Sequence, residues 1–373
     1  MGSYWLEETA PALPRQRLAA PPEVEIVGGG VTGCACALSL ASRGLRVRLH
    51  EARAVASGAS GRNGGFALRG GAMPYDAARA ELGPESARAF WALTEGGLRR
   101  LAELAGDAFR PTGSLRLAAD KEEAAELRAE HDALAADGFA VRLNDALPET
   151  LAGRFPAALE HPPDGALQPA RWVRRLALLA AEAGAEIREG SRVELEELEA
   201  DQVVVATDGY GSGLTPVLDG AIRPARGQVL VTEPLPEIVF PRPHYARRGF
   251  DYWQQTPQGR LVIGGWRDTD LEAEFTDREA TTPRIQRQIE AFVSQLLGRL
   301  PRITHRWAGI FGVTGDGLPL AGRLPGDERI WLACGYSGHG NVLGLVCGEL
   351  VGEAILGRPA TAIELFDPAR LAR

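Results

Sequence analysis

The sequence predicts a two-domain chain of mixed α/β and α+β class. A domain with a parallel sheet is interleaved with a second domain built on a mixed, largely antiparallel sheet. Three observations predict this. Residues 24–51, VEIVGGGVTGCACALSLASRGLRVRLHE, read as strand, glycine turn, small-residue helix and strand. From about 221 to 315 the pattern changes to short strands bounded by Pro and Gly: GQVLVTEP, GFDYWQQTP, RLVIGGW and HRWAGIFGVT. The last segment then returns to the first pattern, with a buried strand RIWLACGY, the turn SGHGN and a small-residue helix from about 341 to 356. These changes assign 22–75, 160–220 and 318–373 to the first domain and 76–159 and 221–317 to the second, with 1–21 as an N-terminal extension. At 373 residues and 45% hydrophobic content, the chain can bury two cores.

The first unit carries the parts of a dinucleotide grip. A buried strand, Val24 to Val27, runs into Gly28-x-Gly30-x-x-Gly33. Gly28 permits a tight turn, Gly30 lets backbone amides approach a pyrophosphate, and Gly33 lets helix pack closely on strand. The helix N-terminus behind them favours the phosphate charge. Glu51 falls 21 residues after Gly30, at the end of the second strand, where a carboxylate can take adenosine ribose hydroxyls and disfavours a 2′-phosphate. FAD and NAD both remain open on these residues alone.

The glycine-rich stretch ASGASGRNGG, residues 56–65, is expected to be a loop. Helices are expected at 76–105 and 121–137, flanking a short strand over 113–120. A helix over about 170–183, a strand near Ala185 to Arg188, a compact hairpin and a buried strand from Gln202 to Ala206 follow. A helix near 283–299 interrupts the β-rich stretch.

Composition excludes several classes. A net charge of -8 argues against a phosphate-backbone partner, so no nucleic acid is expected. No apolar run reaches the roughly 18 residues of a membrane span, and the Pro- and acid-containing N-terminus is unlike a signal peptide, which makes a cytoplasmic location the expectation. Cys34, Cys36, Cys334 and Cys347 form no CxxC pair, so neither a metal site nor a disulfide is expected. Lys121 is the sole lysine, which leaves arginine to supply cationic chemistry elsewhere.

Four separated motifs together resemble the D-amino-acid oxidase superfamily of FAD-dependent amine and amino-acid oxidoreductases. They are GGGVTG with Glu51, GASGRNGG, GALQPARWVRRL through VVVAT, and TGDGLPLAG through CGYSGHGN. SYW near the N-terminus, GRNGG and GYSGHG are most similar to the branch containing γ-glutamylputrescine oxidase. The resemblance implies a Rossmann-type FAD-binding domain and a substrate domain whose sheet roofs the flavin. By position, Gly28, Gly30, Val31, Thr32, Gly33, Glu51, Ala52 and Arg53 match the adenosine and pyrophosphate grip. Ser57, Ser60, Gly61, Arg62, Asn63 and Gly64 match the loop that passes pyrophosphate and flavin. Val193 matches a position bordering adenine, and Ala206 and Thr207 match a turn after a nucleotide-domain strand. Gly338, His339, Gly340 and Asn341 match the helix start that faces the pyrimidine end of the ring, where a helix N-terminus favours negative charge.

The implied reaction is oxidation of a C–N bond in an amine or amino acid, with hydride transfer to FAD, imine hydrolysis, and reoxidation by molecular oxygen to hydrogen peroxide. Tyr252, Gln254, Arg267 and His339 are the candidate catalytic residues. Strand alternation places Phe250, Tyr252 and Gln254 on one face and Asp251, Trp253 and Gln255 on the other. Gln254 stands where the branch would carry arginine. For a substrate carboxylate, Arg247, Arg248, Arg267 and Arg306 could each offer a guanidinium fork. The stretch RWAGIF lacks the cysteine that attaches flavin in sarcosine-oxidase-like members, so noncovalent FAD is expected. LVIGGW lacks their oxygen-activating lysine, which keeps open a dehydrogenase using another electron acceptor. Two further alternatives are a non-catalytic FAD-bound assembly protein and an NAD-dependent dehydrogenase; the latter leaves GRNGG and GYSGHG unexplained.

Overall fold

The computed structural model describes residues 2–358 and 361–372. Val24–Val27 forms the centre of a six-stranded sheet in the order 320–323, 330–334, 202–205, 24–27, 47–50, 186–188. Pairing is parallel throughout except at the Leu320–Arg323 edge. Its central strand is buried at all four residues, Glu25 included, whose Oε2 accepts the Glu199 and Ala200 amides at 2.9 and 3.0 Å.

The helix Val31–Ala41 follows the glycine turn and meets the closing helix Gly340–Ile355. Small residues allow the approach: a Cβ on Gly348 would stand 2.5 Å from the Thr32 carbonyl oxygen, and one on Gly352 2.8 Å from Ser39 Oγ.

A second sheet of eight strands runs in the order 303–313, 223–234, 260–265, 251–255, 244–246, 114–117, 158–161, 142–144. All its pairs are antiparallel except His244–Ala246 against Ser114–Leu117. A small third sheet joins Phe66–Ala67, Gly165–Leu167 and Phe109–Arg110. The far side of the eight-stranded sheet is sealed by the helix Pro283–Leu297, with Ile285, Ile289 and Val293 fully buried against Trp253, Leu261 and Ile263.

Two sequence expectations change. The helix expected over 76–105 is two helices, Tyr75–Leu82 and Pro84–Ala105, broken at Gly83 with φ +83°. Gly takes the left-handed conformation at little steric cost and Pro at the first helical position starts the next helix. The second helix shares a core with the parallel sheet: Phe90, Leu98 and Leu101 pack with Val342, Leu343 and Val346 of the closing helix. The hairpin expected between Val193 and Val203 is instead a short helical turn, Leu195–Glu197, closed by a reciprocal Glu194–Glu197 capping box.

His244 stacks on Trp253 at 5.4 Å and 5° on the core side of the sheet, where burial pushes its pKa down to about 3. The unfolded chain binds this proton near pH 6.5, so the residue's contribution to stability is intact above 6.5 and is lost as pH falls through the window below it. The slope is about 1.4 kcal/mol per pH unit. His244→Phe is therefore expected to flatten the dependence of Tm on pH between 6.5 and 4.5; a thermal-melt series in which both proteins lose stability in parallel would contradict this.

Candidate active site

A cavity of about 1300 Å³ runs from the first glycine turn to the underside of the eight-stranded sheet. At one end stands Glu51. Its Oε2 accepts the Gly29 amide at 2.8 Å and its Oε1 the Arg53 amide at 2.8 Å, which fixes the carboxylate at the cavity wall with lone pairs to spare. Gly28, Gly30, Val31, Thr32, Ala52, Arg53, Val193, Ala206 and Thr207 line the same end. Gly33 does not line the cavity: a Cβ there would lie 1.9 Å from the Gly28 carbonyl oxygen, so its role is the close approach of helix to strand.

The loop at 57–65 is held entirely from behind. Its carbonyl oxygens accept hydrogen bonds one after another: Ser57 from Arg62 Nε, Gly58 from the Gly61 amide, Ala59 and Ser60 from Asn63 Nδ2, and Gly61 from Ser3 Oγ. Arg62 accepts from Trp307 Nε1, Asn63 from Trp5 Nε1, and Gly64 and Gly65 from Gln254 Nε2. With the carbonyls turned away, the Asn63 and Gly64 amides make no hydrogen bond to any described residue, while both residues line the cavity. Such a string of forward-facing amides suits an anionic or acceptor-rich ligand. Ser60 and Arg62 also line it; Ser57 and Gly61 sit behind. Ser60 Oγ accepts the Val31 amide at 3.1 Å and so joins the loop to the first helix.

Gln254 is placed differently from its expected substrate-facing role. Its amide serves the carbonyls of Gly64, Gly65 and Leu167, and it lies outside the cavity lining. Alternation gave its face correctly, because it points with Tyr252 toward the loop, but its depth was not visible in the sequence. Trp5 and Ser3 turn the N-terminal extension into part of the same support.

The closing helix starts at Gly340 with His339 before it, and Gly338, His339, Gly340 and Asn341 all line the cavity. Asn341 Nδ2 donates to Asn63 Oδ1 at 3.2 Å and to the Phe66 carbonyl at 2.7 Å, tying helix to loop. His339 is half-buried with its Nδ1 enclosed and unpartnered, and burial, followed by the positive charges of Arg267 and Arg116, draws its pKa to about 4. The imidazole is therefore neutral at pH 7.

Over the loop, the Tyr252 ring fills a slot that a Cβ on Gly64 or Gly264 would close, at 2.8 Å and 2.6 Å. Burial pushes its phenol up to about 12, so it remains protonated. Of the four arginines considered for a carboxylate, three are engaged: Arg247 by Asp251 and Asp268, Arg248 by Glu122 and Glu126, and Arg306 by Glu290. Arg267 makes no hydrogen bond or ion pair to a described residue and lines the cavity. Its guanidinium lies 4.5 Å from the Phe250 ring centroid and 5.3 Å from that of Phe311. Trp266, with φ +61°, turns the chain back at the strand end and delivers Arg267 there. A bulky residue in the left-handed region is costly, and such strain gathers where a side chain must be aimed.

Sequence reasoning missed four residues at this site. Asp208 is a half-buried carboxylate with φ +49° that accepts the Gly312 and Gly335 amides at 2.9 and 2.8 Å, clamping three segments beneath the closing helix. Glu279 binds Arg53 at 2.9 Å and Tyr210 beside the pyrophosphate end. Arg116 and His161 line a further arm of the cavity. None carries a local motif; each is set in place by pairing between distant segments.

The donors present fit FAD: a fixed carboxylate at one end, glycine turns and amides along the middle, and a helix start at the other. Glu51→Gln is expected to weaken FAD binding about 10- to 100-fold, since a hydrogen bond to a charged group contributes about 1.5–3 kcal/mol. Titrating apoprotein with FAD by flavin fluorescence checks this, and an unchanged Kd would contradict it.

Comparison with known proteins agrees with this geometry. The chain is 28% identical over 412 residues to a probable oxidoreductase OrdL of Rhizobium meliloti, covering 99% of this chain and 92% of that one. It is 30% identical over 370 residues to the gamma-glutamylputrescine oxidoreductase of Escherichia coli, covering 90% and 84%. Its fold matches the crystal structure of glycine oxidase from Geobacillus kaustophilus with a TM-score of 0.75 at 24% identity, covering 91% and 95% of the two chains. L-proline dehydrogenase from P. horikoshii matches with a TM-score of 0.76 at 24% identity, covering 95% and 99%. Residues 23–354 match the DAO family of FAD dependent oxidoreductases, and the chain belongs to that family.

Proposed function

We propose that this protein oxidises the C–N bond of an amine that bears a carboxylate, with noncovalently bound FAD and with oxygen as the final acceptor. The observation that carries this reading is Arg267: a guanidinium at the cavity roof, stacked on Phe250 and Phe311, beside the Tyr252 phenol and free of any acidic partner among the described residues. A carboxylate is the group that fits a fork of this kind. The gamma-glutamylputrescine oxidoreductase relative supports an amine as the reacting group.

The chemistry that FAD supplies when bound is acceptance of a hydride from the carbon next to nitrogen. The chain's own residues prepare the substrate. Arg267 holds the carboxylate and Tyr252 donates from its neutral phenol. The positive charge of Arg267, with the start of the closing helix, disfavours an ammonium and so favours the free amine that can lose hydride. His339, uncharged, can accept a hydrogen bond from that amine. Phe250, Tyr252 and Phe311 exclude water from the reacting carbon. The imine that leaves is hydrolysed by water. Noncovalent attachment is supported by the four cysteines, all buried in the core and none lining the cavity.

The test is anaerobic mixing of the FAD-loaded protein with N-alkyl amino acids, D- and L-amino acids and simple amines, followed by admission of air. Loss of the oxidised-flavin absorbance, then its return with hydrogen peroxide, is the expected result. Absorbance lost but not restored by air would favour the dehydrogenase reading, and no loss with any amine would overturn the proposal. Acid precipitation should leave all flavin in the supernatant.

A further inference from the structure

The cavity continues past Tyr252, under the strands His244–Ala246 and Ser114–Leu117, into an arm lined by Arg69, Trp91, Arg116, Glu130, His161 and Tyr245. The proposed oxidation uses nothing in it. Pairing places Tyr252 opposite Tyr245, and Tyr245 opposite Arg116. Residues paired across neighbouring strands share a face, and strands lie about 4.8 Å apart, so this row extends roughly 10 Å from Tyr252.

The arm presents donors that the chain does not satisfy. Arg116 is anchored through Nη1 to Glu130, whose other oxygen accepts the Tyr75 amide, while Arg116 Nε has no partner. His161, 3% exposed, also has an unpartnered Nδ1. The Tyr245 hydroxyl makes no hydrogen bond to a described residue, and burial pushes its phenol pKa well up, so it stays protonated. Buried polar groups in native proteins are nearly always satisfied, and a group of exceptions around one open space marks where a ligand's polar atoms belong.

Charge decides which atoms. Arg116 is balanced by Glu130, Arg69 by Glu95 and Asp164, and Arg248 at the mouth by Glu122 and Glu126. Of Arg69, Arg116, Arg248 and Arg267, Arg267 alone has no acidic partner among the described residues. A second carboxylate in the arm would stand against Glu130 and Asp164, and an ammonium against Arg116 and Arg69. An uncharged acceptor meets the free donors with neither penalty, and an amide can also donate toward Glu130. We propose that this arm is a subsite for an uncharged amide at the far end of an extended substrate, whose carboxylate is held at Arg267. The inference rests on the amine-oxidation reading for the identity of the reacting group.

The experiment titrates the FAD-loaded protein with carboxylates that cannot react, read by perturbation of the flavin spectrum and by calorimetry. Propionate is compared with the ω-amide series from succinamate to adipamate and with the matching diacids from succinate to adipate. The expected result is at least one amide that binds ten-fold or more tightly than propionate and than its own diacid. Tyr245→Phe and Arg116→Gln should each remove that advantage and leave propionate binding unchanged; Tyr245→Phe serves if the arginine variant fails to fold. A diacid equal to or tighter than its amide, or an advantage that survives Tyr245→Phe, overturns the subsite. The two readings fail separately: an amide preference in a protein whose flavin no amine reduces leaves the subsite and removes the reaction, whereas amine reduction without an amide preference does the reverse.

Discussion

Arg267→Ala is expected to lower kcat/KM for a carboxylate-bearing amine by on the order of 10²–10³-fold while leaving FAD bound. Two charge-assisted hydrogen bonds of a guanidinium fork contribute about 3–4 kcal/mol to holding a carboxylate, and each 1.36 kcal/mol is about ten-fold in rate. The residue touches no element of the FAD grip, so flavin content and Tm should be retained. Arg267→Lys keeps the charge but loses the planar fork and its stacking on Phe250 and Phe311, and is expected to fall between the two. Steady-state assays with paired substrates, one with the carboxylate and one with a methyl group in its place, separate this from a general defect. The wild type should prefer the acid strongly and the alanine variant should not; equal losses on both substrates would argue that Arg267 acts on something other than the carboxylate.

The second large effect is expected at Gly33. A methyl group there would meet the Gly28 carbonyl oxygen at 1.9 Å, with Ile26 Cγ2 at 3.3 Å. Backbone cannot swing aside as a side chain can, so Gly33→Ala must lift the first helix off the central strand. The cost lies at the upper end of the about 1–3 kcal/mol typical of overpacking, which corresponds to a fall in Tm of roughly 3–4 °C for a chain of this size. Because the same movement opens the turn from Gly28 to Gly30, the variant should also be isolated largely without flavin. Thermal melts with and without added FAD check both parts, and a variant that is yellow and melts with the wild type would refute the argument.

These two positions also mark what was legible in the sequence. Gly33 and the strand before it could be read because their causes are local: an apolar run, three glycines at fixed spacing and an acid at the end of the next strand. The second-domain strands were legible for the same reason, each being a short apolar run between Pro and Gly. Arg267 was visible only as one of four arginines, and its selection depends on which of them find acids in the folded chain. Gln254 shows the limit from the other side. It stands where the resemblance leads one to expect arginine and was a catalytic candidate, yet its amide holds the carbonyls of Gly64 and Gly65, a partnership across 190 and 189 positions of sequence. Arg116, His161, Asp208 and Glu279 were overlooked because strand register and loop packing place them, and neither has a local signature. The Gly83-Pro84 break, by contrast, was present in the sequence as a helix end followed by a helix start.

The Thr32 hydroxyl donates to the Tyr336 hydroxyl at 2.9 Å across 304 positions, and around this contact the first and closing helices pack. This has a consequence in time. A nascent chain emerges N-terminus first, at about 5–20 residues per second, so Glu51 and the glycine turn are made long before the segment from Tyr336 to Asn341 that completes the ring end of the site. Contacts of such separation form late and slowly. Capture of the flavin at its ring end is therefore expected to follow synthesis of the segment from Tyr336 to Asn341 and its docking on the first helix.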